Sequence, residues 1–258
     1  MKRYFAVVIS VLCITAISGC GASENNGFLK TTGLDYESSL DESSIENGLN
    51  VYHYSYYDVL SEGNYVTAPE FKLKKEYINP EETAIIVIDP WSDMPFPELN
   101  KMIENHVDNY ILPVVNLAMT NNMPVYIFTN NPDTIDYNTK ICESLDVLVD
   151  NQSVSVLYYD STGGGATAFC EILEEKNIKN LIYTGYAVQL CVLYRNVGII
   201  PMWEQHDYNI YIIPESTAAV LSMDEKLNTQ MRNDICTMLS QEGIAAIIQY
   251  EDWVNYLD

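Results

Sequence analysis

Leu181-Ile182-Tyr183-Thr184-Gly185-Tyr186-Ala187-Val188-Gln189-Leu190-Cys191-Val192 is an apolar run that ends in glycine and is followed by a cysteine. The pattern predicts a buried strand, a tight turn and a thiol at the start of a helix. The unpaired N–H groups and the dipole of a helix N-terminus stabilise a thiolate and can hold an oxyanion, so Cys191 is a candidate nucleophile. Free cysteines are also common packing residues at such junctions, and the rest of the chain has to decide between the two readings.

Outward from this stretch, strand-like and helix-like runs alternate. Short β-branched or apolar runs at 83–89, 124–129, 154–158, 180–184, 208–213 and 244–248 predict six strands. Their continuous apolarity is that of strands buried on both faces. Helical spacing predicts helices over 97–121, where Pro113 would introduce a kink, and over 166–177, 190–197 and 223–241. Right-handed βαβ units then give a single three-layer α/β/α domain with an open, mostly parallel six-stranded sheet of Rossmann-like type. The aromatic patch at 52–57 reads as an extended arm packing on the domain, 130–152 as a polar, partly helical connection, and Gly163-Gly164-Gly165 as a flexible loop. Ligands of such sheets bind beyond the carboxyl ends of the strands. Asp89 ends the first predicted strand and Cys191 follows the fourth, so both fall on that edge.

The N-terminus speaks to location. Lys2 and Arg3 precede an apolar run from Phe5 to Ile17 that has the flanks of an export signal. It closes in Ile17-Ser18-Gly19-Cys20, which resembles a bacterial lipobox, and implies cleavage before Cys20 and lipidation of its thiol. The expected organisation is a signal peptide over 1–19, a lipidated Cys20 with a flexible acidic tether over 20–50, and a folded domain over 51–258. The protein is expected outside the cytoplasm, held on the membrane by its acyl chains.

Thirteen Lys and Arg stand against 36 Asp and Glu, a net charge of −23, which excludes nucleic acid as a partner and leaves a small-molecule substrate as the expectation. Of the six cysteines, Cys13 leaves with the signal peptide and Cys20 is the anchor. The remaining Cys142, Cys170, Cys191 and Cys236 allow three disulfide connectivities that spacing does not rank. There is no CxxC, and His53, His106 and His206 are isolated, so no metal or cofactor is expected.

Taken together, these residues resemble the isochorismatase-like hydrolases, the superfamily of nicotinamidases and other cysteine amidases. The family's D-x-Q-x-D-F motif after its first strand is matched by Asp89-Pro90-Trp91-Ser92-Asp93-Met94, and its G-x-A-x-x-x-C by Gly185 through Cys191. Pro214-Glu215-Ser216-Thr217-Ala218 follows in order, and the similarity spans roughly residues 80–257. The resemblance implies that Asp89 is the general base and Cys191 the nucleophile of a covalent intermediate. It also implies a cis peptide at Tyr186–Ala187, an oxyanion hole from the N–H groups of Ala187 and Cys191, and a pocket lined by Trp91, Met94, Tyr186 and Val188. Members commonly associate through helices beside the sheet, which makes a homo-oligomer an expectation.

The chain departs from the family in three places. The third catalytic residue is a lysine at the third strand, but no lysine lies between Lys140 and Lys176. Tyr158, Tyr159 and Lys140 are the candidates for its place. Nicotinamidases hold a metal with an Asp and several His after the second strand, whereas 130–136 here contains no histidine. Trp91 replaces the motif glutamine, and Met94 stands where an aromatic is usual. The leading expectation is a lipid-anchored cysteine hydrolase of a small amide or related C–N bond. Its rival is a catalytically impaired surface lipoprotein that keeps the fold to bind a ligand or partner.

Overall fold

Thr83–Ile88, Val125–Thr129 and Asn180–Tyr186 are buried along their whole length, as strands covered on both faces must be. They belong to a computed structural model that describes residues 49–54, 71–149, 154–159, 166–220 and 222–257. The expected signal peptide, Cys20, the tether up to residue 48 and Gly163 to Gly165 lie outside the described residues. Strands are numbered β1 (Leu49–Tyr54), β2 (Phe71–Glu76), β3 (Thr83–Ile88), β4 (Val125–Thr129), β5 (Val154–Tyr158), β6 (Asn180–Tyr186), β7 (Asn209–Ala218) and β8 (Ala246–Ile247). They form one sheet in the order β2-β1-β8-β7-β6-β3-β4-β5.

From β8 across to β5 every pairing is parallel, and these six strands are the six that the sequence predicts. The sheet nevertheless has eight strands. β1 pairs antiparallel with β8 through Tyr52 and Ile247, and with β2 along its whole length. The segment expected to be an arm thus begins inside a strand of the sheet, flanked by β8 on one side and by the edge strand β2 on the other. Leu49 and Val51 are buried in one core layer while Asn50 and Tyr52, on the other face and partly buried, hydrogen-bond Asp252, the alternation of a strand.

Side-chain alternation divides the core in two. Ile85 and Val87 of β3 and Ile127 of β4 point to a layer built by the helices α1 (Pro97–His106), α2 (Leu112–Thr120) and, at the C-terminus, Tyr250–Leu257. Ile86, Ile88 and Phe128 point to the opposite layer, with Phe169, Leu173, Met202 and Leu239. The predicted 97–121 helix is continuous but carries a π turn over Val107–Ile111, so that the Leu112 N–H bonds the Val107 carbonyl. Pro113 explains it: a proline has no N–H to donate and crowds the carbonyl four residues back, and the wider turn accommodates both.

The helix expected over 190–197 is instead a π turn at Val188–Val192 that ends within one further turn, and a separate helix follows at Ile199–His206. Gly198 makes the break, with its N–H on the Arg195 carbonyl at 2.7 Å. Among the described residues no helix is long and apolar enough to cross a membrane.

Candidate active site

Two strand ends build the site. β3 and β6 pair in register so that Ile88 faces Gly185; β3 then leaves the sheet into Asp89, and β6, after Tyr186, into Ala187. Gly185 has φ +112°, and a Cβ there would fall 2.1 Å from the Ile88 carbonyl oxygen. Only glycine permits this approach, which brings the loop carrying Cys191 against the residue that precedes Asp89. The Tyr186–Ala187 peptide is cis, at the bond where the resemblance places it.

Asp89 has φ +47° and is fully buried, with its N–H on the Phe128 carbonyl at 2.9 Å and its own carbonyl accepting from the Trp91 N–H at 2.8 Å. The Cys191 thiol lies beside its carboxylate, close enough for each to shift the other's titration. The Tyr159 hydroxyl donates to Oδ1 at 2.8 Å, and Arg195 donates to Oδ2 from Nε at 3.3 Å and from Nη2 at 3.1 Å. Burial raises the Asp89 pKa above the usual carboxylate range, opposed by the Arg195 charge and by the hydrogen bonds from Cys191, Tyr159 and Arg195. Burial, followed by the adjacent Asp89 charge, pushes the Cys191 thiol up, while Arg195 and the Ala187 N–H pull it down. The resting pair is therefore a neutral thiol beside a carboxylate. Tyr159 is held well above its ordinary range by burial and by Asp89, so it stays a neutral donor.

Arg195 is the residue of this site that the sequence reading lacks. Its N–H bonds the Cys191 carbonyl at 3.1 Å, which places it one turn beyond the nucleophile on the same helical face. The guanidinium carbon lies 4.3 Å from the centre of the Tyr159 ring and 5.9 Å from that of Trp91, and Nη2 also reaches Asn130 Oδ1 at 3.4 Å. The Cys-x-x-x-Arg spacing is present in the sequence, but the family resemblance points to a lysine at the third strand instead.

The three candidates for the lysine's place separate. Successive strand residues face opposite sides, so Tyr159 reaches Asp89 whereas Tyr158 lines a different cavity of about 510 Å³ together with Lys140, Ser92 and Thr129. The expected pocket residues separate too. Trp91 lies beside Arg195, with its Nε1–H on Thr129 Oγ1 at 2.9 Å, and Val188 is buried in the layer that also receives Cys191. Met94 and Tyr186 pack in the opposite layer. There the Tyr186 hydroxyl lies 2.6 Å from His106 Nδ1 and 3.2 Å from the Ile103 carbonyl, while His106 Nε2 is 2.8 Å from the Glu215 carbonyl.

Cys142, Cys170 and Cys236 are free and buried, and Cys191 is a half-buried free thiol. The residues after β4 do not suit the metal of nicotinamidases: Asn130 is committed to Arg195 and to the Asn138 carbonyl, and among the described residues no three His, Cys, Asp or Glu side chains cluster.

No protein-family model matches the chain and no curated protein sequence matches it. Solved structures do share its fold. A cysteine hydrolase from Pseudomonas syringae pv. phaseolicola is similar with a TM-score of 0.53 at 14% identity, over 70% of this chain and 94% of that one. The nicotinamidase of Staphylococcus aureus is similar at 0.50 and 16%, over 65% and 98%, and an isochorismatase family protein of Burkholderia thailandensis at 0.50 and 13%, over 70% and 97%. The architecture is that of the isochorismatase-like cysteine hydrolases, a mostly parallel sheet flanked by helices.

Proposed function

We propose that the chain is a hydrolase of a small amide or related C–N bond that works through a thioester at Cys191. The observation that carries this reading is a half-buried thiol beside a fully buried carboxylate, itself held by a fixed cation. As Cys191 Sγ attacks the substrate carbonyl, its proton passes to Asp89 and the carbonyl electron pair moves onto oxygen, where the N–H groups of Ala187 and Cys191 receive it. The C–N bond then breaks, and Asp89 returns the proton to the leaving nitrogen. Water, deprotonated by Asp89, attacks the thioester; the C–S bond breaks and the thiol is regenerated. Trp91 and Val188 border the substrate. Cys20, lipidated, holds the enzyme on the outer side of the cell membrane.

The test is to incubate the purified protein with a panel of small amides and follow ammonia or amine release and intact mass, against Cys191→Ala. Turnover or an acyl adduct that disappears in the variant is expected. A folded protein with neither would overturn the hydrolase and leave the ligand-binding lipoprotein. Acyl labelling that is lost in Cys20→Ser tests the anchor.

A further inference from the structure

We propose that Arg195 is the positioning cation of this site, replacing from the nucleophile's own helical turn the lysine that the related hydrolases carry at the third strand, with Tyr159 as the neutral partner donor on Asp89. The inference rests on the hydrolase reading above and extends it to a residue that lies outside both family motifs.

A carboxylate removed from water sheds its charge unless a cation and hydrogen bonds hold it. The Asp89 side chain is 0% exposed, and the groups facing its two oxygens are the Tyr159 hydroxyl from the end of β5 and the Arg195 guanidinium and Cys191 thiol from the turn after β6. Arg195 is the only positive charge among them. It places two nitrogens on Oδ2, leans on the Tyr159 ring at 4.3 Å and is steadied by Asn130. That arrangement suits arginine, whose planar fork stays charged and stacks on aromatic rings.

The substitution also divides the labour differently. A guanidinium gives up no proton at any working pH, so it takes no part in proton transfer. Asp89 alone carries the proton from Cys191 to the leaving nitrogen. Arg195 keeps Asp89 ionised before attack, and the Tyr159 hydroxyl, equally unable to ionise in its buried place, fixes the other oxygen.

The experiment needs no knowledge of the substrate. Carbamidomethylation of Cys191 by iodoacetamide is timed by peptide mass from pH 4 to pH 10 in the full-length wild type, Arg195→Gln, Arg195→Lys and Asp89→Asn, with melting curves to check folding. In the wild type the rate rises on the acid side as Asp89 ionises. Arg195→Gln is expected to move that midpoint up by about one pH unit or more, the usual effect of removing an adjacent opposite charge, and Arg195→Lys by clearly less. A slower rate at an unmoved midpoint in Arg195→Gln, or a lysine variant that behaves as the glutamine one, overturns the proposal. If Arg195→Gln does not fold, Arg195→Lys decides alone: a midpoint within one unit of wild type is expected, and a larger rise overturns it. An Asp89→Asn protein with the wild-type profile would instead overturn the Asp89-assisted hydrolase, and this inference with it.

Discussion

Replacing glycines by alanine in three places separates backbone conformation from space, and only one of the three sites carries both constraints. Gly243 has φ +67° with nothing within 4 Å of a built Cβ, so Gly243→Ala bears the conformational cost alone, about 1 kcal/mol. Gly198 has an ordinary φ of −75°, but its Cβ would lie 2.8 Å from the Val192 carbonyl oxygen and 2.9 Å from that of Arg195. The turn behind the nucleophile must then give way, at ~1–3 kcal/mol. Gly185 combines φ +112° with a Cβ 2.1 Å from the Ile88 oxygen and 2.7 Å from its nitrogen, all backbone that no rotamer change can relieve. Strain of ~1–3 kcal/mol from the conformation adds to an overlap at least as costly, giving about 4 kcal/mol or more. That is a large part of a domain's usual ~5–15 kcal/mol. Urea unfolding followed by tryptophan fluorescence should rank the losses Gly185→Ala, then Gly198→Ala, then Gly243→Ala. A Gly185→Ala loss below about 1 kcal/mol, or one no larger than that of Gly243→Ala, would refute the claim that the β3–β6 approach needs a bare backbone.

Two further outcomes follow from buried polar groups. Burial, aided by the Arg232 charge and opposed by the Glu215 carbonyl, lowers the His106 pKa to about 4 from 6.5. The unfolded chain therefore takes up this proton first, and the stability due to His106, present above pH 6.5, is lost as pH falls from 6.5 toward 4, by at most about 3 kcal/mol. Stability measured against pH should flatten across that window in His106→Gln relative to wild type, and parallel curves would refute the assignment. Trp91→Phe leaves Thr129 Oγ1 without its 2.9 Å donor in a buried place, with only the Thr139 carbonyl at 3.4 Å as partner. A loss of ~1–3 kcal/mol in urea unfolding is expected, and a change within about 0.5 kcal/mol would show that the bond adds nothing.

The parallel strands were legible because each is a short β-branched run, and an apolar run flanked by turn residues has few other places to go. β1 was not, since its tyrosines read as an aromatic patch, and its partner over six residue pairs is β2, a Lys-rich segment without a long apolar run. Asp89 and Cys191 could be read because the ends of parallel strands collect on one edge whatever the packing. Arg195 could not be read the same way: its role depends on a π turn at Val188–Val192 and a break at Gly198, both set by tertiary contacts rather than by local pattern. Tyr158 and Tyr159 are adjacent in sequence, so composition alone could not choose between them; the pleat of β5 does, by sending them to opposite faces.

Because Arg195 rides on the same turn as Cys191, thiol and cation form one unit of five residues, and any shift of that turn moves both against Asp89 together. The end of the third parallel strand is thereby released from supplying charge. What it still supplies is neutral, the Tyr159 hydroxyl on Asp89 and the ring under Arg195, and beyond Tyr159 it can change to suit a different ligand while the charge balance around Asp89 stays as it is.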